Sequence, residues 1–79
     1  MNKVNNPFEI QLKNPIDGEL LTLFIRHETE TFDFDFKGQK ISIINNGDNS
    51  WSAITNNIDQ VLVNAIGTAI EAYYAKLPI

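Results

Sequence analysis

The chain has 79 residues, a net charge of −4, 43% hydrophobic and 20% charged residues, and no cysteine. This excludes a disulfide or thiolate–metal staple and argues against disorder. It also leaves little positive charge for a nucleic-acid backbone or an anionic membrane surface. With no basic, then apolar, leader at Met1 and no apolar run of spanning length, it reads as one soluble, cytoplasmic domain, of a size at which a single core is only just sufficient.

Residues 1–6 are polar and expected to fray. Pro7 opens a strand over residues 7–13, in which Phe8, Ile10 and Leu12 alternate with Glu9, Gln11 and Lys13. Asn14-Pro15-Ile16-Asp17-Gly18 forms a turn, because Pro presets φ and Asp-Gly supplies a left-handed residue. Residues 20–26 (LLTLFIR) are almost continuously apolar, as in a central strand. His27-Glu28-Thr29-Glu30 reads as the next connection, although it contains neither Gly nor Pro. Residues 31–37 (TFDFDFK) alternate Phe32, Phe34 and Phe36 with Asp33 and Asp35. Gly38-Gln39 fits a type II′ hairpin, and residues 40–45 return with Ile41 and Ile43 in phase. Asn46-Gly47 signals another hairpin, and hence a short fifth strand within residues 49–53 that carries Trp51.

These loop lengths imply a register. Leu12 pairs with Leu21 and Ile10 with Leu23; Ile25 pairs with Phe32 and Leu23 with Phe34; Phe36 pairs with Ile41 and Phe34 with Ile43. All of them leave one continuous apolar face, and a one-residue slip anywhere would turn a strand inside out.

The last third of the chain has helical period over residues 57–77. Asn57 is the expected N-cap, Gln60 completes a capping box, Asp59 suits the helix dipole, and Lys76 and Pro78 mark the end. Ile58, Leu62, Ala65, Ile66, Ala69 and Tyr73 share one face, with Val61, Ala72 and Leu77 at its margins. The expected architecture is therefore α+β: an antiparallel meander of four or five strands with one C-terminal helix on its apolar face. Val63, Gly67, Ile70 and Tyr74 form a second apolar stripe that this lid does not require. A second helix can cover it, approaching closely at Gly67. So can Trp51, its loop, or Pro78-Ile79 folding back within the chain.

Motifs for chemistry are sparse. The one histidine, His27, has Glu28 and Glu30 beside it, a set that can orient an imidazole or ligate a metal, but a turn histidine among acidic neighbours explains it more simply. Asp33 and Asp35, with Glu9 two strands away, are a conceivable Ca²⁺ or acid/base set. Acids on the wet face of a half-buried strand need no such role. Residues 45–49 (NNGDN) are oxygen-rich but lack the spacing of a calcium loop. No catalytic, metal or cofactor residue is assigned. On the outer sheet face the register places Phe24 and Ile44 on either side of Asp33. Trp51 joins them if its hairpin has two residues, and enters the core if the turn bulges. Stacking of nucleic acid on Phe24 and Trp51 would need basic surroundings, which are scarce.

The expected function is a small non-enzymatic interaction module of inhibitor, immunity or adaptor type, bacterial by its wealth of Ile and Asn. Its partner is another protein or a second copy of itself, with dimerisation through Val63, Gly67, Ile70 and Tyr74 and further contacts through Phe24, Ile44 and Trp51. No nucleic acid and no membrane is expected to bind. The alternative is a small-molecule carrier or enzyme accessory subunit. That requires a pocket between helix and sheet near Tyr73 and the phenylalanines, with His27 or acids at its mouth.

Overall fold

Alternating apolar residues and local turn chemistry build a five-stranded antiparallel meander closed by one helix. The computed structural model describes residues 7–28, 30–48, 50–54 and 58–76. The strands are β1 (Phe8–Lys13), β2 (Leu20–Glu28), β3 (Thr31–Phe36), β4 (Gln39–Asn45) and β5 (Trp51–Ala53), and the helix is α1 (Gln60–Ala75). They lie in sheet order β1-β2-β3-β4-β5. The helix packs on β5 and β1, so the curled sheet brings both its edges to α1. Between them lies a core of Phe8, Ile10, Leu23, Ile25, Phe32, Phe34, Ile41, Ile43, Trp51, Leu62, Val63, Ile66 and Ile70.

The β1–β2 register is as expected, with Leu12 opposite Leu21 and Ile10 opposite Leu23. Asn14, 5% exposed, closes this connection. Its side chain accepts from Ile16 N–H at 2.8 Å, and its backbone N–H donates to Glu19 C=O at 2.8 Å. These bonds satisfy the turn locally, which is why the Asn-Pro-x-Asp-Gly signal was specific.

The next two hairpins differ from expectation by an even number of residues. β2 runs on through His27 and Glu28, so His27, not Ile25, stands opposite Phe32, and Arg26 faces Asp33. His27 stacks on Phe32 with centroids 4.0 Å apart, a cross-strand aromatic pair that a turn at His27 would forgo. Between β3 and β4 the turn is Lys37-Gly38, with φ of 52° and 81°, which is type I′ and not the expected II′. Phe34 then pairs with Ile41 and Phe32 with Ile43, in place of Phe36–Ile41 and Phe34–Ile43. Type I′ turns match the right-handed twist of the flanking strands, and only Lys37 bears the left-handed strain. A slip of two preserves which face each side chain takes, so both corrections leave the apolar face whole.

The last hairpin differs by an odd number, and the consequence is large. Residues 46–50 connect β4 to β5, and Asn45 pairs with Trp51. The loop is bonded internally: Asn46 N–H donates to Ser50 C=O at 2.9 Å, and Gly47 N–H to Asn45 Oδ1 at 2.7 Å. Asn46 Nδ2 reaches Ser50 Oγ at 3.0 Å and Ser52 Oγ at 2.9 Å. Parity therefore flips and Trp51 enters the core, 4% exposed. Burying an indole of about 150–250 Å² is worth at most about 4–6 kcal/mol, which the tight Asn-Gly turn would forgo. Burial wins.

The helix is shorter than expected, and Asp59, not Asn57, is its N-cap, accepting from Val61 N–H at 2.8 Å. Asn57, Leu77 and Pro78-Ile79 lie outside the described residues. Gln60 does not close a capping box; its Nε2 donates to Trp51 C=O at 2.7 Å and to Asn64 Oδ1 at 2.9 Å. Lys76 caps the C-terminus, its N–H donating to Tyr73 C=O. We expect Lys37→Asn to stabilise the fold by about 0.5 kcal/mol, because Asn tolerates the left-handed conformation and completes an Asn-Gly type I′ turn. Urea unfolding midpoints measure this. A destabilised variant would contradict the turn assignment.

Candidate functional site

The second apolar stripe is covered from within the chain. Val63 is fully buried, Ile70 is 1% exposed, and Gly67 is buried beneath Trp51. A Cβ on Gly67 would stand 2.3 Å from Trp51 Cγ and Cδ1, so the indole rests on bare helix backbone. Trp51 Nε1 donates to Glu71 Oε2 at 3.1 Å, which holds the ring's polar edge at the surface. Helix burial is accordingly centred on Leu62, Val63, Ile66, Gly67 and Ile70, rotated away from the expected face. Ile58, Ala69 and Tyr73 only flank the core, and Val61 is 55% exposed. Burying Val63 and Ile70 gains more than burying the alanines of the other stripe, since each large aliphatic contributes about 1.5–3 kcal/mol. Of the stripe expected to dimerise, Tyr74 alone is exposed, at 38%.

Tyr74 belongs to a ring sequence that crosses one end of the molecule. Trp51 meets Phe32 edge-on at 5.3 Å, Phe32 stacks on His27, and His27 Nδ1 lies 3.3 Å from the Tyr74 hydroxyl. Tyr74 meets Phe8 edge-on at 5.3 Å, and Phe8 stacks on Tyr73 at 4.0 Å with the planes 6° apart. His27 is thus a half-buried strand residue among aromatics, and not a turn histidine among acids. Partial burial, and secondarily the neighbouring Tyr73 phenol, raise the Tyr74 hydroxyl above the usual tyrosine value of 10.0.

The outer sheet face does not bring its expected residues together. Phe24, 56% exposed, faces Glu9 on β1, while Ile44 is half-buried between Thr31 and Ser52. Asp33 stands between Arg26 and Ser42, so neither Phe24 nor Ile44 flanks it, and Trp51 is on the opposite face. Asp33 Oδ1 is shielded from solvent and has no hydrogen-bond partner among the described residues. Glu9 and Asp33 are out of line by the two-residue shift in the β2–β3 register. Among the described residues no three His, Asp or Glu side chains are placed to hold a metal ion. Nor is any helix of the described residues long and apolar enough to cross a membrane.

The remaining candidate is an edge. β5 is blunted: it has three residues, and the Trp51 carbonyl already accepts from Gln60. β1 is six residues long, keeps strict alternation and, among the described residues, has β2 as its one neighbour in the sheet. Where β1 meets the C-terminal half of α1 there is an open groove of about 560 Å³, lined by Glu9, Ile10, Gln11, Ala69, Ala72, Tyr73 and Lys76. Ala69 and Ala72 are small, which leaves room in the groove, and Glu9, Gln11 and Lys76 give it a polar rim. Sequence alternation shows Glu9 and Gln11 only as part of a solvated face, because an open edge is a property of sheet order.

Comparison with protein-family models, curated proteins and solved structures finds no match to this chain.

We expect Gly67→Ala to destabilise by about 1–3 kcal/mol through overpacking against Trp51, although Ala in an open helix would gain about 1 kcal/mol over Gly. Chemical denaturation decides the sign, and a stabilised variant would refute the Trp51 seat. The raised Tyr74 hydroxyl has a second consequence. Its folded value lies above the unfolded one, so its contribution is fully present below about pH 10 and is lost as pH rises through the folded value. Tyr74→Phe should therefore lose less stability than the parent between about pH 9 and about pH 11. Urea midpoints at the two pH values test this, and equal losses would contradict it.

Proposed function

We propose that this chain is a small non-enzymatic protein-binding module of the bacterial cytoplasm that takes its partner by strand addition on the outer edge of β1. The observation that carries the proposal is the asymmetry of the two sheet edges: β5 is short and occupied by Gln60, whereas β1 is long, regular and bordered by a groove. An extended segment laid along β1 would continue the sheet. Backbone hydrogen bonds would supply affinity and alternate side chains specificity. Side chains pointing inward from that segment would enter the groove over Ala69 and Ala72, and those pointing outward would meet Glu9, Gln11 and Lys13. An inhibitor, an immunity protein or an adaptor fits this mode equally. The helix stripe Val63, Gly67, Ile70 is withdrawn from the interface, because Trp51 fills it.

The groove beside Tyr73 supports a second reading, a carrier for a small molecule held between Glu9 and Lys76. A photo-crosslinking side chain at Gln11, compared with one at the exposed helix position Thr68, separates the two in the native host. The strand-addition reading expects protein adducts from position 11 and few from position 68. No protein adduct from position 11, with a small molecule retained on the purified chain in native mass spectrometry, would replace it by the carrier reading.

A further inference from the structure

We infer that the occupant of the β1 edge is a second copy of this chain, paired antiparallel with the first about a two-fold axis at Gln11; this rests on the strand-addition reading above. The β1 strand is electrostatically self-complementary in one register. Its outward residues are Glu9, Gln11 and Lys13, all exposed. Centring the pair on Gln11 sets Glu9 of each copy against Lys13 of the other and Gln11 against Gln11, so opposite charges meet twice by symmetry.

Neighbouring registers are worse. A shift of one residue pairs the core face of one copy with the wet face of the other, setting Phe8 against Lys13. A shift of two in the sense that brings Pro7 into the ladder sets Glu9 against Gln11, separates the charges, and places a residue without an N–H where a bond is needed. In the Gln11-centred register Ile10 stands beside the second copy's Leu12. That leucine arrives on the groove side, over Ala69 and Ala72, where there is room for it. Leu12 is only half-buried in the single chain, so it has surface left to bury. The two five-stranded sheets would then form one continuous sheet with the short β5 at both outer ends. A self-complementary edge closes at two copies, since among the described residues each β1 has one side without a strand and the pairing uses it.

The contact is one strand wide, at the small end of specific interfaces, so the dimer should dissociate on dilution. The experiment is sedimentation equilibrium on the purified full chain from about 10 μM to about 1 mM, the range a small interface calls for. The mass should rise from monomer toward dimer. Glu9→Lys and Lys13→Glu each place like charges opposite one another twice, and each should weaken the dimer about tenfold. An equimolar mixture of the two variants should recover the parent affinity as a heterodimer, and so should the double variant E9K/K13E within one chain. Both positions are exposed, and parallel urea midpoints confirm that each variant folds. A parent that stays monomeric throughout, or a dimer that neither variant weakens, overturns the self-pairing. So does weakening by both variants without recovery in the mixture. A monomeric parent that nonetheless crosslinks from position 11 to a different protein overturns the self-pairing alone. A chain that gives no protein adduct from position 11 overturns the strand-addition reading as well.

Discussion

The fit of Trp51 on Gly67 is the constraint on which the rest of the structure depends. It is steric before it is anything else: with an ideal Cβ at 2.3 Å from the indole, this position admits no side chain while Trp51 stays where it is. The helix accepts the ~1 kcal/mol cost of a mid-helix glycine, and the indole gains several kcal/mol by leaving water. Three other features follow from that exchange. The connection at residues 46–50 must carry an odd offset so that Trp51 points inward. The helix must rotate until Gly67 faces the sheet, which takes Val63 and Ile70 into the core with it. Glu71 must then stand beside the indole N–H, the indole's one donor, and it does so at 3.1 Å.

Most of the sheet was legible in the sequence because strand parity is robust to the errors that turn reading makes. The β1–β2 hairpin has a turn with a mechanism, and its register was read directly. The β2–β3 and β3–β4 hairpins were misread by two residues, since His27 to Glu30 carries no Gly or Pro and Lys37-Gly38 competes with Gly38-Gln39. An even slip left Phe32, Phe34, Ile41 and Ile43 on the correct face. The β4–β5 hairpin is the instructive failure. Asn46-Gly47 is a strong local signal, but the residues around it, Asn45, Asp48 and Ser50, bond the loop to itself and support a longer connection. Local turn preference does not outweigh the burial of a tryptophan here, and only the tertiary structure contains the Gly67 seat that receives it.

The candidate site was legible only in its parts. Glu9, Gln11 and Lys13 alternate visibly, yet nothing in that pattern tells an edge strand from an interior one. The difference arises from sheet order and from what each edge meets. At β5 the carbonyl of Trp51 meets Gln60, whose role as a capping-box residue was the natural local expectation. His27 shows the same limit from another direction. Its sequence neighbours are acids, but in an extended strand it keeps company with residues across the sheet and on the helix, which are Phe32 and Tyr74. Sequence adjacency describes a turn well and a strand poorly.

The closure of the second helix stripe also changes what kind of association this chain can have. Had Val63, Gly67 and Ile70 lain uncovered, a partner would have been needed to complete the core, and folding would have been coupled to assembly, as in obligate dimers. With Trp51 in place the single chain buries Val63 and Ile70 unaided. The interface proposed at β1 would then add one ladder of hydrogen bonds and one inward leucine to a domain already folded. Such a contact contributes to stability only by mass action, as RT ln(1 + [L]/Kd), and vanishes at concentrations well below Kd. The selectivity of that proposed contact would come from the Glu9, Gln11, Lys13 row, where register and charge agree in a single alignment. A small core sealed by its own tryptophan would make the proposed association at the sheet edge a reversible addition and not a condition of folding.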